Sequence, residues 1–184
     1  MAEQIIFGLV GEQASGKGEA SKYIKERYGA ASYRFSTPMR DILNRVQLPL
    51  TRENLQDVST ILRKRFGQDL FVNAIMRDIK YDPTKIIIVE GIRLLIDTEK
   101  LSQLPNFKLI YIDTSPEARF ARLKHRGENT DDHLKTFEDF EKDHEKETEQ
   151  QIIKLKMQAN YVIDNEGSLT ELHKKLDNII KGGL

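Results

Sequence analysis

The chain predicts an α/β fold of three layers, α/β/α, built on a five-stranded parallel sheet. Three observations predict it. Residues 5–10, 85–91 and 107–113 are continuous apolar runs too short for free-standing helices, the pattern of strands buried on both faces. Shorter strand-like runs at 31–35 and 160–164 alternate with segments of helical spacing, which argues for a parallel sheet covered on both sides. The loops after residues 10, 35, 90 and 113 all fall at the carboxyl ends of these strands, the edge where open α/β sheets bind ligands.

The elements follow in order. Residues 5–10 read Ile-Ile-Phe-Gly-Leu-Val, and residues 11–18 read Gly-Glu-Gln-Ala-Ser-Gly-Lys-Gly. Ala20, Tyr23, Ile24 and Tyr28 then fall at helical spacing. Strand, glycine-rich turn and helix is the context that lifts G-x-x-x-x-G-K above a chance match. After the 31–35 strand, Ser36-Thr37-Pro38 starts a helix, with Thr37 as its cap and Pro38 in its first turn, ending before Pro49. Thr51-Arg52-Glu53 opens another, with Leu55, Val58, Ile61, Leu62 and Phe66 three to four residues apart. Gly67 breaks it, residues 69–80 are helical again, and Asp82-Pro83 closes this insertion. Past residue 113, Ser115-Pro116-Glu117 starts a helix to about residue 126, and 127–132 is a polar loop. One long charged helical stretch runs from 133 to about 159, and a last helix covers 168–181. No internal repeat is visible.

Composition bounds the function. At 184 residues the chain suits one domain with a sizeable core. Lys plus Arg number 29 and so do Asp plus Glu, so no global field draws the protein to nucleic acid or to an anionic membrane. The absence of cysteine excludes disulfides, thiolate metal sites and a cysteine nucleophile. No apolar stretch approaches the ~18 residues of a membrane span, and residues 1–4 lack a signal peptide's basic start. The expectation is a cytoplasmic protein without membrane or nucleic-acid partners, a monomer or small homo-oligomer.

Chemistry concentrates at the strand ends. Gly11 and Gly16 let the backbone curl so that Gln13, Ala14, Ser15 and their neighbours turn N–H groups toward an anion. The helix start adds partial positive charge and Lys17 a full one, together a grip for a nucleoside triphosphate. Where most such loops carry Ser or Thr after the lysine to reach Mg²⁺, this chain has Gly18 and then Glu19. An acid so close to the phosphates either helps to hold the metal or points away. Glu90 closes an apolar strand and can hold the water shell of Mg²⁺, the alternative being an acid that merely caps the loop; Asp113 ends the neighbouring strand and competes for the role. Phosphoryl transfer is mostly positioning and neutralisation of oxygens, so arginines matter. Arg40 and Arg93 each follow a strand end. Arg119, Arg122 and Arg126, at i, i+3 and i+7, fall within about 60° of one another on one helix, either a basic stripe toward an anion or a solvated face. The four histidines are scattered without metal spacing.

The order of these pieces resembles the nucleoside monophosphate kinase family, adenylate and cytidylate kinases included. Residues 11–18, ending Gly-Lys-Gly, match that family's P-loop. Phe35-Ser36-Thr37-Pro38-Met39-Arg40 resembles its S-T-G-D-x-x-R segment with Pro38 and Met39 in place of Gly-Asp, which implies that Ser36, Thr37 and Arg40 meet the acceptor phosphate. Glu90-Gly91-Ile92-Arg93 resembles D-G-[FY]-P-R, implying acceptor contacts from Gly91 and Arg93. Residues 113–127 resemble the strand and lid helix whose arginines close over the triphosphate. Residues 165–169 resemble the late loop whose backbone, at Asn165 and Gly167, reads the adenine. Residues 54–69 look more like the acceptor lobe of deoxynucleoside monophosphate kinases and dephospho-coenzyme A kinase-like proteins; by that likeness Gln56 and Arg63 touch the acceptor, the alternative being ordinary surface residues.

The resemblance implies a P-loop NTPase fold with a core of residues 1–35, 84–114 and 158–184, a helical acceptor-binding insertion at 36–83 and a lid at 115–157. The expected activity is transfer of the ATP γ-phosphate to a (deoxy)nucleoside monophosphate, with ATP and Mg²⁺ bound. Lys17, Arg93, Arg119, Arg122 and Arg126 are the candidate catalytic residues. An anionic acceptor needs no general base. The rivals are a dephospho-coenzyme A kinase-like enzyme, which would want a carboxylate base such as Asp41 beside a sugar hydroxyl, and a nucleotide-binding regulatory protein in which Gly18 and Glu19 have impaired catalysis.

Overall fold

The central strands are apolar along most of their length, β1 at every position, because helices cover both faces of the sheet. The computed structural model describes residues 4–126, 136–144 and 147–183. Strands β1 (Ile5–Val10), β2 (Ala31–Arg34), β3 (Ile86–Glu90), β4 (Phe107–Asp113) and β5 (Tyr161–Asp164) form one sheet in the order β2-β3-β1-β4-β5, every neighbouring pair parallel. Leu9 lies in register with Glu90 on one side of β1 and Ile110 on the other. The helices are α1 (Lys17–Tyr28), α2 (Ser36–Arg45), α3 (Arg52–Phe66), α4 (Leu70–Tyr81), α5 (Leu95–Leu101), α6 (Pro116–Arg126), α7 (Phe137–His144), α8 (Glu147–Leu155) and α9 (Leu169–Gly183).

The period of two along each strand divides the core. On one face Ile6, Val10, Ile87, Val89, Leu109 and Tyr111 meet Phe71, Ile75 and Ile79 of α4, Leu101 of α5, and Ile152 and Leu155 of α8. On the other, Ile5, Phe7, Leu9, Ile86, Ile88, Ile110 and Ile112 meet Ala20 and Ile24 of α1 and Leu172, Leu176 and Ile180 of α9. Each such side chain contributes roughly 1.5–3 kcal/mol by leaving water, so the sheet is a rigid platform for the loops at its carboxyl edge. A smaller cluster of Ala14, Leu123 and Phe140 joins the loop after β1 to α6 and α7. Among the described residues no helix is long and apolar enough to cross a membrane.

Three elements differ from the sequence expectation. Helix α2 starts at Ser36, with Phe35 as its N-cap residue and no side-chain cap; Thr37 lies inside the first turn, because the Phe35 N–H still donates to the Glu90 carbonyl (3.0 Å) and the helix begins where that ladder ends. Thr51, by contrast, does cap α3, accepting from the Asn54 N–H. Of the stretch from 133 to 159, the described residues form α7, α8 and a closing 3-10 turn, and they pack in two places. Phe140 of α7 is buried with Leu123, whereas Ile152 and Leu155 of α8 join the main core, and a 3-10 turn, Lys156–Gln158, follows. Helix α5 was not expected; its seven residues are too few to display a helical period.

Candidate functional site

The loop between β1 and α1 closes on itself around Lys17. Gly11 has φ +148° and Gly16 φ +104°. A Cβ at Gly11 would collide with the Ile112 carbonyl oxygen of β4, and one at Gly16 with Asn165 Nδ2, so both positions require a residue without a side chain. Ala14 also takes positive φ, at 60°, and is buried against Leu123 and Phe140. The Lys17 ammonium donates to the Gly11 carbonyl (2.7 Å), the Glu12 carbonyl (2.6 Å) and Ser15 Oγ (3.4 Å). Gly16 occupies the N-cap position of α1, so the first N–H groups of that helix open from this loop. Gln13 is half-buried; Gly18 and Glu19 are exposed, Glu19 in the first turn of α1, where its charge suits the helix dipole.

The ends of β4 and β5 seat the loop. Ser15, fully buried, presents its carbonyl to Thr114 Oγ1 (3.1 Å) and Asn165 Nδ2 (2.8 Å). Arg122 donates to the Asn165 carbonyl (2.7 Å) and to Thr114 Oγ1 (3.4 Å). Arg119, buried and 3.0 Å from Glu12 Oε1, donates through Nε to the Thr114 carbonyl (3.1 Å) and lies over the Phe140 ring. The arginines of α6 therefore do not form one open stripe: Arg119 is buried on Glu12 and Arg122 braces Thr114 and Asn165. Arg126 ends α6, but its side chain lies outside the described residues, as does the whole 127–135 segment of the expected lid. Asn165 meets the loop through its side chain, while Gly167 sits tight against Glu171, whose carboxylate accepts from the Ser168 N–H (2.7 Å). Glu12, Asp113, Thr114, Arg119, Asp164 and Glu166 help to line a cavity of about 640 Å³ beside the loop, in the size range of small-ligand sites. Asp113 pairs with Lys156 at 2.6 Å.

On the other side of β1, Glu90 ends β3 and is held by three donors. Ser21 Oγ of α1 (2.7 Å) and Ser32 Oγ of β2 donate to Oε1, and Arg34 donates to Oε2 (3.1 Å). Burial pushes the carboxyl up, but the bonds from Ser32, Ser21 and Arg34 outweigh it and hold the group below the usual carboxylate range. It is an ionised carboxylate beside the phosphate loop. Mg²⁺ commonly takes one or two carboxylates and completes its shell with water and phosphate oxygens; Glu90 fits that demand. Among the described residues no three His, Cys, Asp or Glu side chains gather into a protein cage for a metal.

The expected acceptor residues divide. Ser36 and Arg40 are half-buried at the start of α2, and Thr37 is exposed. Gly91 (φ +79°) and Arg93 are exposed in the turn after Glu90. Gln56 and Arg63 do not share an environment: Gln56 is exposed, whereas Arg63 is buried. The Arg63 guanidinium donates to both Asp97 oxygens (3.2 and 3.3 Å) and to the Gln68 carbonyl, and stacks over Phe71. Arg63 is thus not a surface residue, and its donors join α3 to α5. Residues that the sequence reading passed over are Glu12, Ser21, Ser32, Arg34, Asp97 and the hydroxyl of Thr114. A carboxylate amid Leu94, Leu95, Ile96 and Leu101 was the available signal for Asp97.

Residues 10–141 match the family model described as AAA domain. A UPF0200 protein of Methanoculleus marisnigri is 32% identical over 167 residues, covering 90% of this chain and 90% of the relative. A UPF0200 protein of Methanocaldococcus jannaschii is 30% identical over 179 residues, covering 96% of this chain and 89% of the relative. The solved shikimate kinase of Bacteroides thetaiotaomicron superposes with a TM-score of 0.64 at 13% identity, covering 96% of this chain and 98% of that one. That likeness extends to the five-stranded P-loop kinase fold.

Proposed function

We propose, from the premise that this chain belongs to the AAA domain family and to the UPF0200 proteins, that it is an ATP-dependent phosphotransferase whose acceptor is a (deoxy)nucleoside monophosphate. One observation carries the reading: a glycine-curled loop with Lys17 at its centre stands beside a carboxylate, Glu90, kept ionised by three donors on the adjoining strand end. Lys17 and the N–H groups at the start of α1 hold the β- and γ-phosphates. The cavity beside Thr114 and Glu166 receives the donor nucleoside, whose hydroxyl and amino groups find carboxylate acceptors there. Glu90 would hold Mg²⁺ through water, and the ion would supply charge neutralisation to the phosphates. Arg40, on α2 just after β2, and Arg93, in the turn after β3, fix the acceptor phosphate in line with the moving phosphoryl group.

The test is product formation by the purified protein with Mg-ATP and a panel of ribo- and deoxyribonucleoside monophosphates, dephospho-coenzyme A and shikimate. A nucleoside diphosphate formed from one or a few of the monophosphates is expected. The kinases named for shikimate among the structural neighbours suggest one second reading, a hydroxyl acceptor, for which exposed Asp41 is the one carboxylate on α2. Phosphorylation of dephospho-coenzyme A or shikimate alone would replace the first reading with the second.

A further inference from the structure

We infer that Thr114 and Asn165 are positioning residues of the phosphate loop, holding the Ser15 carbonyl so that the Gly16 N–H is aimed at the bound phosphates; this rests on the reading of the loop as a phosphate site. A trans peptide unit is planar, with its C=O and N–H pointing in opposite directions. The Ser15 carbonyl turns toward the ends of β4 and β5, where Thr114 Oγ1 and Asn165 Nδ2 both donate to it at 3.1 and 2.8 Å. The Gly16 N–H, in the same plane, therefore points away from those strands. It belongs to the N-cap residue of α1 and is not part of the helical ladder.

Three further facts show that this is a built arrangement. Thr114 and Asn165 are each 5% exposed and Ser15 0%, so water does not substitute for their bonds. Arg122 braces both donors, through the Asn165 carbonyl at 2.7 Å and Thr114 Oγ1 at 3.4 Å. The Thr114 hydroxyl accepts from Arg122, which leaves its proton for Ser15. Finally, Asn165 Nδ2 occupies the space that a Cβ at Gly16 would need. The second glycine of the loop therefore admits the asparagine as well as permitting positive φ. Together these contacts assign Arg122 a place behind the loop, aligning the peptide that meets the phosphate.

The full-length protein tests this with a fluorescent ATP analogue in Mg²⁺ and with the ¹⁵N–¹H resonance of Gly16. Thr114→Val keeps the shape and removes the hydroxyl; a buried hydrogen bond of this kind corresponds to about a five- to tenfold loss of nucleotide affinity. Thr114→Ser keeps the donor and is expected to bind within about twofold of the wild type, with a Gly16 resonance like the wild type's. Asn165→Ala is expected to match or exceed the loss in Thr114→Val. Equal binding by all variants with an unmoved Gly16 resonance overturns the inference, as does equal loss in Thr114→Val and Thr114→Ser. If the wild type binds no nucleotide, the phosphate reading fails; the Gly16 resonance, shifted in the valine variant and restored in the serine variant, still decides whether the peptide is held this way. If Asn165→Ala does not fold, the Thr114 pair alone gives the answer.

Discussion

Two arginine-centred knots flank β1, and they are built differently. Behind the phosphate loop Arg122 meets a hydroxyl and a carbonyl, partners that carry no charge. At the base of the helical insertion Arg63 meets Asp97 in a buried ion pair whose side chains are 9% and 2% exposed. Neutral partners cost little to desolvate, and every bond fixes a direction. An ion pair must overcome the loss of hydration of two charges, and here burial prevails over the pull of Arg63: the Asp97 carboxyl is pushed up to about 6. Among the described residues, Arg63 Nε and the neighbouring Thr98 hydroxyl are buried and find no hydrogen-bond partner. Around Arg122 the frame is built from neutral partners, with the Arg119–Glu12 pair beside it, and the insertion side retains electrostatic cost where α3 meets α5. The difference teaches that the loop after β1 is held ready by neutral bonds around Arg122, while the insertion proposed to bind the acceptor joins α5 through a contact that is sensitive to charge.

The comparison breaks first at Lys17. Lys17→Ala should lower phosphoryl transfer by about 10³-fold or more, as loss of a central charge-stabilising group does, while circular dichroism and Tm stay at wild-type values; unchanged turnover would refute the assigned grip. Next comes Arg63→Met, which leaves Asp97 buried without its partner and should cost roughly 3–5 kcal/mol in urea unfolding. The double variant Arg63→Met/Asp97→Leu should recover most of that loss, and failure to recover would mean that Arg63 acts through Gln68 and Phe71 instead. Arg93→Ala should weaken transition-state contacts by about 2–4 kcal/mol in kcat/KM for the acceptor; an effect confined to ATP affinity would move Arg93 to the donor side.

The smallest effect sharpens the contrast through pH. A carboxyl whose folded-state value is raised holds its proton more tightly than the unfolded chain does, so its contribution to stability falls as pH rises between about 4 and 6 and is level above that. The stability of the wild type relative to Asp97→Asn should therefore decline by on the order of 2 kcal/mol from pH 4 to pH 7, measured by urea unfolding at each pH. If the attraction of Arg63 governed the site, the relative stability would rise instead. Glu90 has the opposite sign: its lowered value adds stability above the ordinary carboxylate range, and that contribution is lost as pH falls through its folded value.

What was legible in the sequence is what is encoded locally. The strand of residues 5–10, the two loop glycines and Lys17 lie within a dozen residues of one another, and the apolar runs of β3 and β4 announce two-sided burial without reference to any partner. Glu90 could be placed because a charged residue closing an apolar strand can only sit at its end. Partnerships across the fold were not legible. Arg63 and Asp97 are 34 positions apart, and nothing in either neighbourhood names the other. The equal spacing of Arg119 and Arg122 along α6 hides their different surroundings, because Glu12 and Phe140 reach one and Asn165 the other. The different packing of α7 and α8 was concealed by a run of charged residues that satisfies helical propensity throughout.

The bond from Asn165 to Ser15 spans 150 positions of chain, and that from Thr114 spans 99. Contacts of such separation form only after the intervening loop has closed, against its entropy. A nascent or partly denatured form can therefore have β1 and its glycines in place and still lack the seat that shapes them. On the proposed reading, capture of a triphosphate reports completion of the whole topology, and a chain that has lost its fifth strand should forfeit recognition before its central sheet melts.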